Sequence, residues 1–242
     1  VIGAEGDPDA VRRGHAQAWE RFRGLLQELV DELPLLRAPV DGPCRLRGVV
    51  ARRMWLAAEP HRPAFVTPMV AVAGAVAEEL LQAYQRPGVS RAWVNNGGDI
   101  ALHLTPGTTF RIGLYADLGR MDWLDGRDGL QVDGAFTVAH GSGVRGVATS
   151  GWRGRSFSLG IADSVTVLAG TAAEADAAAT LIGNAVNVEA EGIVRAPASR
   201  LKDDTDLGDI PVTVAVPTLE PAQVAAALRA GWDHARVLQA SG

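Results

Sequence analysis

Helical and extended patterns follow one another along this sequence without regular alternation. Apolar residues recur at helical spacing after Asp7-Pro8, where the Asp carboxylate can cap free amides and proline is tolerated in the first turn. Later segments alternate apolar and polar residues between glycines, which is typical of half-buried strands. Runs of consecutive strands mixed with helices favour an α+β fold with antiparallel sheets over a doubly wound fold.

The periodicity predicts five helices and eight strands. The helices are predicted at 8–33, 47–58, 69–84, 172–188 and 221–238. The strands are predicted at 93–95, 100–104, 109–116, 136–139, 144–149, 157–162, 165–168 and 212–216. A strand, a glycine-rich turn and an alanine-rich helix occur within 67–104 and again within 144–188, which suggests an internal duplication with halves meeting near 105–145.

The composition predicts one globular domain over residues 1–242. Hydrophobic residues make up 47% of the chain, enough for a packed core. The formal net charge of -5 argues against a nucleic-acid binder, because such proteins usually carry a basic face. An anionic ligand would therefore depend on local backbone amides, arginines or a metal. Lys202 is the only lysine and lies in a polar stretch. It is therefore the one candidate for Schiff-base chemistry or for a lysine general base.

The sequence predicts a cytoplasmic protein with no membrane partner. No apolar run reaches the length of a membrane span, and no signal peptide is visible. The single cysteine, Cys44, excludes an intrachain disulfide and a thiolate zinc site. The five histidines show no metal-ligand spacing.

The first candidate site segment is Asn96-Gly97-Gly98-Asp99. Paired glycines allow positive φ or a close approach of the backbone to a ligand, and their amides can then point at phosphate oxygens. Asp99 could fix a hydroxyl, an amide or a metal-bound water. The alternative interpretation is an Asn-Gly turn between two strands, which needs no ligand.

The second segment follows a strand and carries Thr149, Ser150, Gly151, Arg155 and Ser156. Hydroxyls, exposed amides and an arginine fork together suit a pyrophosphate or carboxylate. The segment lacks the Gly-x-Ser-x-Gly elbow of a serine nucleophile. The alternative interpretation is a glycine-rich surface hairpin.

The third segment is the alanine-rich helix that contains Asp176 and Thr180. Residues four apart lie on one helical face, and both side chains offer the hard oxygens that Mg²⁺ prefers. Three intervening alanines leave that face open. The alternative interpretation is a polar stripe on an amphipathic helix.

The order of these segments resembles the ApbE superfamily of FAD:protein FMN transferases. The shared blocks are Gly97-Gly98-Asp99, Thr149-Ser150-Gly151, Val165-Thr166-Val167 and Ala175-Asp176 through Thr180. An uncharacterised bacterial and archaeal branch is more similar still, through the blocks at 67–77 and 154–163. The resemblance covers nearly the whole chain.

The resemblance implies a fold, a metal and a ligand. It implies two T-fold-like halves, each an antiparallel sheet with helices on one face, and a site between them. Asp176 and Thr180 would bind Mg²⁺, which would neutralise the pyrophosphate of FAD. Asn96 to Asp99 and Thr149 to Gly151, with Arg155 and Ser156, would bind the flavin or nucleotide-like molecule.

The chain departs from the transferases in two places. Transferases carry a lysine-glycine pair in the helix that corresponds to 69–84, where this chain has Gly74-Ala75. They also carry a His-x-x-Asp-Pro stretch between the second and third blocks, which is here shortened to 152–164 without histidine. The chain therefore lacks groups of the parent reaction.

Three functional hypotheses remain open. The first is a Mg²⁺-assisted flavin or nucleotide-like site with another reaction or none; archaeal relatives linked to sulfur assimilation and homocysteine formation suggest a role in sulfur metabolism. The second is a working FMN transferase or FAD pyrophosphatase, with Asp99, Asp163 or Asp176 as the base. The third is a non-catalytic binding or scaffold protein whose apolar helices form a homo-oligomer.

Overall fold

The computed structural model describes residues 1–114 and 132–241. The chain divides into two compact units built from alternating segments. The first contains Val1–Thr108, Ala139–Thr149 and Val167–Ala177; the second contains the described residues of Thr109–Val138, Ser150–Thr166 and Ala178–Gly242. The single domain and the duplicated T-fold-like halves stay predictions.

The described residues form six α-helices and nine β-strands, so the predicted α+β class is confirmed. In chain order they are β1 (Ile2–Gly6), α1 (Pro8–Asp31), α2 (Leu33–Leu36), α3 (Val49–Ala58), α4 (Val72–Leu81), β2 (Val89–Asn96), β3 (Asp99–Leu104), β4 (Thr109–Leu114), β5 (Gly134–Ala139), β6 (Gly146–Ser150), β7 (Val165–Ala169), α5 (Ala172–Ala185), β8 (Val194–Pro197), β9 (Pro211–Ala215) and α6 (Pro221–Ser241).

A five-stranded sheet lies mostly in the first unit. Its strand order is β1-β2-β3-β6-β7. The pairs β1–β2, β2–β3 and β3–β6 are antiparallel. Leu102 N–H donates to the Arg145 carbonyl at 2.8 Å, and Arg145 N–H donates to the Ala169 carbonyl at 3.0 Å. These bonds fix the backbone just before β6 between its two neighbours.

Helices α1, α3 and α4 share an apolar core with this sheet in the first unit. The Asp7 cap is confirmed, because its side chain accepts from Ala10 N–H at 2.8 Å. Met54 and Tyr84 are completely buried. The predicted helix at 69–84 is α4 flanked by short 3₁₀ turns at Pro68–Ala71 and Gln82–Tyr84.

Two glycines let the start of α5 come against the backbone of its neighbours. A Cβ on Gly74 of α4 would lie 2.2 Å from the Ala172 carbonyl oxygen. A Cβ on Gly146 of β6 would lie 2.1 Å from the Thr171 carbonyl oxygen. No side chain fits at either position, so these glycines set where α5 begins relative to α4 and β6.

The second unit contains two two-stranded sheets, β4–β5 and β8–β9, and helix α6. β8 has no counterpart among the predicted strands, and residues 115 and 116 of the predicted strand at 109–116 lie outside the described residues. Helix α5 ends at Ala185, three residues before the predicted end.

The predicted strand at 157–162 is wrong. The Asn184 side-chain oxygen accepts from Leu159 N–H at 2.9 Å, and a Cβ on Gly160 would lie 2.1 Å from the Gly183 carbonyl oxygen. The segment is therefore a loop held against α5 by a side-chain acceptor and a glycine contact, not a ladder strand. The alternation of apolar and polar residues could not show that the Asn184 side chain would accept the hydrogen bond from the Leu159 N–H.

None of the helices in the described ranges, 1–114 and 132–241, combines the length and apolarity needed to cross a membrane.

Candidate carboxylate site

The segment from Asn96 to Asp99 is the turn of a β-hairpin. Asn96 pairs with Asp99, so Gly97 and Gly98 are the two turn residues. Their φ angles are +77° and +120°, which favour glycine. A Cβ on either glycine would meet nothing within 4 Å. The turn interpretation is confirmed, and the glycines leave open space beside the backbone.

Asp99 begins β3 directly after this turn. Its carboxylate accepts a hydrogen bond from the backbone N–H of Thr149, at the end of β6. The Asn96 side chain donates to the Ala73 carbonyl at 3.2 Å. The hairpin tip therefore contacts β6 through Asp99 and the start of α4 through Asn96.

Asp176 lies on the second turn of α5 and reaches the start of α4. Its Oδ2 accepts from Gly74 N–H at 2.9 Å, and Ala73 N–H donates to the same carboxylate. The first amides of a helix have no partner within the helix, so Asp176 caps α4 from another element. The contact depends on the close approach of α4 and α5 at Gly74.

Asp99 lies close enough to Asp176 to affect its ionisation. Burial raises the pKa of Asp176, and the nearby negative charge of Asp99 raises it further, to about 8 despite the two backbone donors. Burial also raises the pKa of Asp99, to about 6, against the lowering effect of the Thr149 N–H. Within the described ranges no cationic side chain pairs with either carboxylate.

The structure brings together six of the predicted site residues in the first unit, namely Asn96, Gly97, Gly98, Asp99, Thr149 and Asp176. Thr180 lies one turn after Asp176 on α5, in the part of the helix that belongs to the second unit. Ser150, Gly151, Arg155 and Ser156 belong to the second unit. Arg155 and Ser156 are exposed.

Asp163, the other candidate base, has a different environment in the second unit. Its side chain is 66% exposed and lies 3.9 Å from Arg153 Nε. Its Oδ1 accepts from Trp152 Nε1 at 3.1 Å. The contact between 151 and 163 is tight, because a Cβ on Gly151 would lie 2.1 Å from the Asp163 carbonyl oxygen. This is a solvated surface ion pair beside a glycine turn.

Three contributors to the site were not predicted from the sequence. Gly74 and Ala73 donate to Asp176, and Glu78 Oε1 accepts from Ala173 N–H in the first turn of α5 at 2.8 Å. Glycine in an alanine-rich helix was a usable signal for Gly74, since it marks a position of close backbone approach. No local signal distinguishes Glu78 from Glu79.

The donor set limits which metals the site could hold. Carboxylate, hydroxyl and backbone oxygens suit a hard cation. In the part of the chain that the structure describes, no three His, Cys, Asp or Glu side chains form a metal-binding group. A cation here would therefore keep several waters or ligand oxygens, as Mg²⁺ usually does.

A family sequence model matches the whole chain, and individual relatives match parts of it. The sequence model of a family described as "AbpE bacteria" matches residues 1–242. A UPF0280 protein of Methanothrix thermoacetophila is 34% identical over 69% of this chain and 66% of its own length.

Two further UPF0280 proteins match shorter segments. The one from Methanospirillum hungatei is 39% identical over 51% of this chain and 46% of its own length. The one from Methanothermobacter thermautotrophicus is 41% identical over 52% and 45%. The matched segments thus span about half to two thirds of these relatives. Because the family match covers every residue, the chain belongs to the AbpE bacteria family.

Proposed function

We propose that this protein belongs to the ApbE-like superfamily and binds a flavin or nucleotide-like molecule with Mg²⁺ at Asp99 and Asp176. One observation carries the proposal: two partly buried carboxylates lie close enough that the charge of Asp99 raises the pKa of Asp176, and their described partners are backbone amides. Buried charges are normally paired or bound to a metal. A divalent cation would remove the repulsion that raises the pKa of Asp176 and would compensate the partly buried charge of both carboxylates.

The donor set fits Mg²⁺. Asp176 and Thr180 would offer hard oxygens from one helical face, and Asp99 would hold a metal-bound water or a ligand hydroxyl. When bound, Mg²⁺ would neutralise pyrophosphate and stabilise charge on a leaving phosphate. The open side of the Gly97-Gly98 turn supports a ligand at this point, because a Cβ on either glycine would meet nothing within 4 Å. The Gly98 amide itself already donates to Asn95 Oδ1 at 2.9 Å.

The chain's own residues then have separate roles. Asp176 orients α4 by capping Ala73 and Gly74, so the metal site and the helix start depend on the same carboxylate. Asp99 is held by the Thr149 amide at the strand edge. Both groups are in positions to bind and orient a ligand rather than to supply a nucleophile.

Thermal shift with FAD tests the proposal. FAD should raise the melting temperature only when Mg²⁺ is present, and Asp176→Asn should remove that Mg²⁺-dependent part. Asp209→Asn is a matched control, because Asp209 is an exposed carboxylate that accepts from Ser199 Oγ at 2.6 Å. An equal FAD shift with and without Mg²⁺ would contradict the proposed metal site.

Turnover is tested separately by incubating the protein with FAD and Mg²⁺. Release of AMP by the wild type, and not by Asp176→Asn, would favour the transferase or pyrophosphatase alternative. Binding without AMP release would favour a ligand-binding protein.

One observation favours self-association as a second candidate function. Trp19, Phe22, Leu26 and Val30 recur at helical spacing on α1 and are 46–73% exposed. A stripe of this kind is typical of a helix face that packs against another copy. Light scattering would test it: a dimer that Leu26→Glu converts to a monomer supports the scaffold, and a wild-type monomer contradicts it.

A further inference from the structure

A cavity in the first unit lies apart from the carboxylate site, because neither Asp99 nor Asp176 lines it. It has a volume of about 250 Å³, and we call it the α4–β3 cleft, defined by Glu78, Gln82, Gln85, His103, Arg145 and Thr171. Leu81 and Leu102 form its apolar part. At roughly 30 Å³ per water, the volume suits a small metabolite rather than a nucleotide. Another cavity, beside Trp55, has only about 20 Å³.

Arg145 supplies an uncompensated positive charge to this cleft. Its guanidinium donates to the carbonyls of Val144 at 2.7 Å and His140 at 2.9 Å, and lies 3.2 Å from His140 Nδ1. Among the described side chains, no carboxylate forms an ion pair with it. Carbonyls hold the guanidinium in place but leave its charge unpaired, so an anion would bind there at little cost in ordering.

His103 adds a second incomplete group. Its Nε2 is buried and has no hydrogen-bond partner within residues 1–114 and 132–241. The ring also hydrogen-bonds the Val89 backbone, which fixes its orientation. A buried polar atom without a partner usually indicates a missing water or ligand.

Glu78, the acidic residue of the cleft, already has partners for its carboxylate. Glu78 Oε2 lies 3.1 Å from Arg53 Nε, and its Oε1 accepts from Ala173 N–H at 2.8 Å. Its charge is therefore compensated from outside the cleft, and Arg145 determines the local field. The amides of Gln82 and Gln85 and the hydroxyl of Thr171 add neutral hydrogen-bonding groups.

We propose that the α4–β3 cleft binds a small anion with a short apolar stem, a carboxylate or a phosphate monoester, with Arg145 as its main anion-binding residue. The apolar part formed by Leu81 and Leu102 takes the stem. This inference does not rest on the proposed flavin site, because none of the residues Asn96 to Asp99, Thr149 and Asp176 lines the cleft.

Titration followed by NMR tests the inference with three probes: butyrate, butyramide and inorganic phosphate. Butyrate and butyramide have the same stem and differ in charge. We expect butyrate to shift the amide signals of Gln82, Gln85 and Thr171 in a saturable way, and butyramide to bind at least about tenfold more weakly. Saturable shifts with phosphate, stronger than with butyrate, would identify the phosphate form of the ligand.

Variants separate binding from folding. Arg145→Gln should weaken anion binding about tenfold, whereas Arg23→Gln, at an exposed arginine paired with Glu20, should leave it unchanged. If Arg145→Gln unfolds, His103→Gln serves instead, with a smaller expected loss. Asp176→Asn should retain anion binding, so failure of the flavin site is distinguishable from failure of the cleft. Equal binding of butyrate and butyramide, or shifts confined to the Gly97-Gly98 turn, would overturn the inference.

Discussion

Helix α4 contributes to two partly buried charged sites in the first unit. The two sites differ in whether a cationic side chain compensates the negative charge. In its second half, Glu79 lies 2.6 Å from Arg21 Nε and 3.1 Å from an Arg53 nitrogen. At its start, Asp176 receives only backbone amides and lies near a second carboxylate, Asp99. The negative charge of Glu79 is compensated by two arginines, whereas that of Asp176 has no cationic partner among the described side chains.

The pKa values follow this difference. Burial alone would raise the pKa of Glu79, but hydrogen bonds from Arg21 and Arg53 outweigh it and lower the pKa. For Asp176, burial and Asp99 act in the same direction and raise the pKa. Burial by itself therefore does not single out a candidate site; a partly buried charge without a cationic partner is the better criterion.

The largest effect is expected for Gly74→Ala, which attacks the backbone contact that positions the uncompensated site. The new Cβ would lie 2.2 Å from a backbone oxygen, which no rotamer change can relieve. The free energy of unfolding should fall by about 3 kcal/mol, measured by urea denaturation.

Gly24→Ala is the matched control for this substitution. Gly24 lies within α1, and a Cβ there would meet nothing within 4 Å. This variant should be more stable by about 0.5–1 kcal/mol. If Gly74→Ala were as stable as Gly24→Ala, the inferred close approach of α4 and α5 would be contradicted.

Glu79→Gln is expected to lower the free energy of unfolding by less, about 2 kcal/mol at pH 7. The loss is limited because Arg21 still forms an ion pair with Glu28, and Arg53 with Glu78. Since the folded state lowers the pKa of Glu79, its contribution is present above the ordinary value of 4.5 and is lost as the pH falls through the folded pKa. Urea denaturation at several pH values measures both effects.

An exposed ion pair gives the comparison for Glu79. Glu20 pairs with Arg23 at 3.3 Å, and its side chain is 69% exposed. Glu20→Gln should change stability by less than about 0.5 kcal/mol. Equal losses for the two variants would mean that partial burial adds nothing to the Glu79 cluster.

The hairpin and the helix face could be predicted from local sequence, but their meeting could not. Paired glycines after Asn96 predict a tight turn, and the four-residue spacing of Asp176 and Thr180 predicts a shared face. The partner of Asp176, Gly74 N–H, lies 102 residues away. Such a contact depends on packing across the whole unit, which periodicity does not describe.

The same limit explains the wrong strand at 157–162. Alternation of apolar and polar residues has the same appearance in a strand and in a loop whose amide is accepted by a distant side chain. Asn184 makes that difference, and its position opposite Leu159 follows only from the fold. Local patterns predicted candidate site residues, whereas tertiary contacts decided which of them share an environment.

Asp176→Asn is expected to change the free energy of unfolding by less than Glu79→Gln does. In metal-free protein it should stabilise the fold, whereas Glu79→Gln destabilises it. The folded state raises the pKa of Asp176 to about 8, so the contribution of this group is fully present below its unfolded value and is lost as the pH rises through about 8. Wild-type stability should therefore decline between about pH 4 and pH 8, at no more than about 1.4 kcal/mol per unit.

The asparagine variant should show a flatter profile and be about 1 kcal/mol more stable than the wild type at pH 8, since it keeps an acceptor for Gly74 without the charge. Chemical denaturation across this pH range measures both curves. Mg²⁺ should restore the wild type at pH 8 and leave the variant unchanged. A parallel decline of the two proteins would assign the pH dependence to other groups.

The smallest effect is expected for Asp163→Asn, which compares the two candidate bases. Asp163 is 66% exposed beside Arg153, so its loss should change stability by less than about 0.5 kcal/mol and leave the Mg²⁺-dependent response to FAD intact. Asp99→Asn should remove that response, because Asp99 is partly buried next to Asp176. If Asp163→Asn alone removed it, an exposed and compensated carboxylate would matter more than the uncompensated pair, and the distinction drawn along α4 would fail as a guide to function.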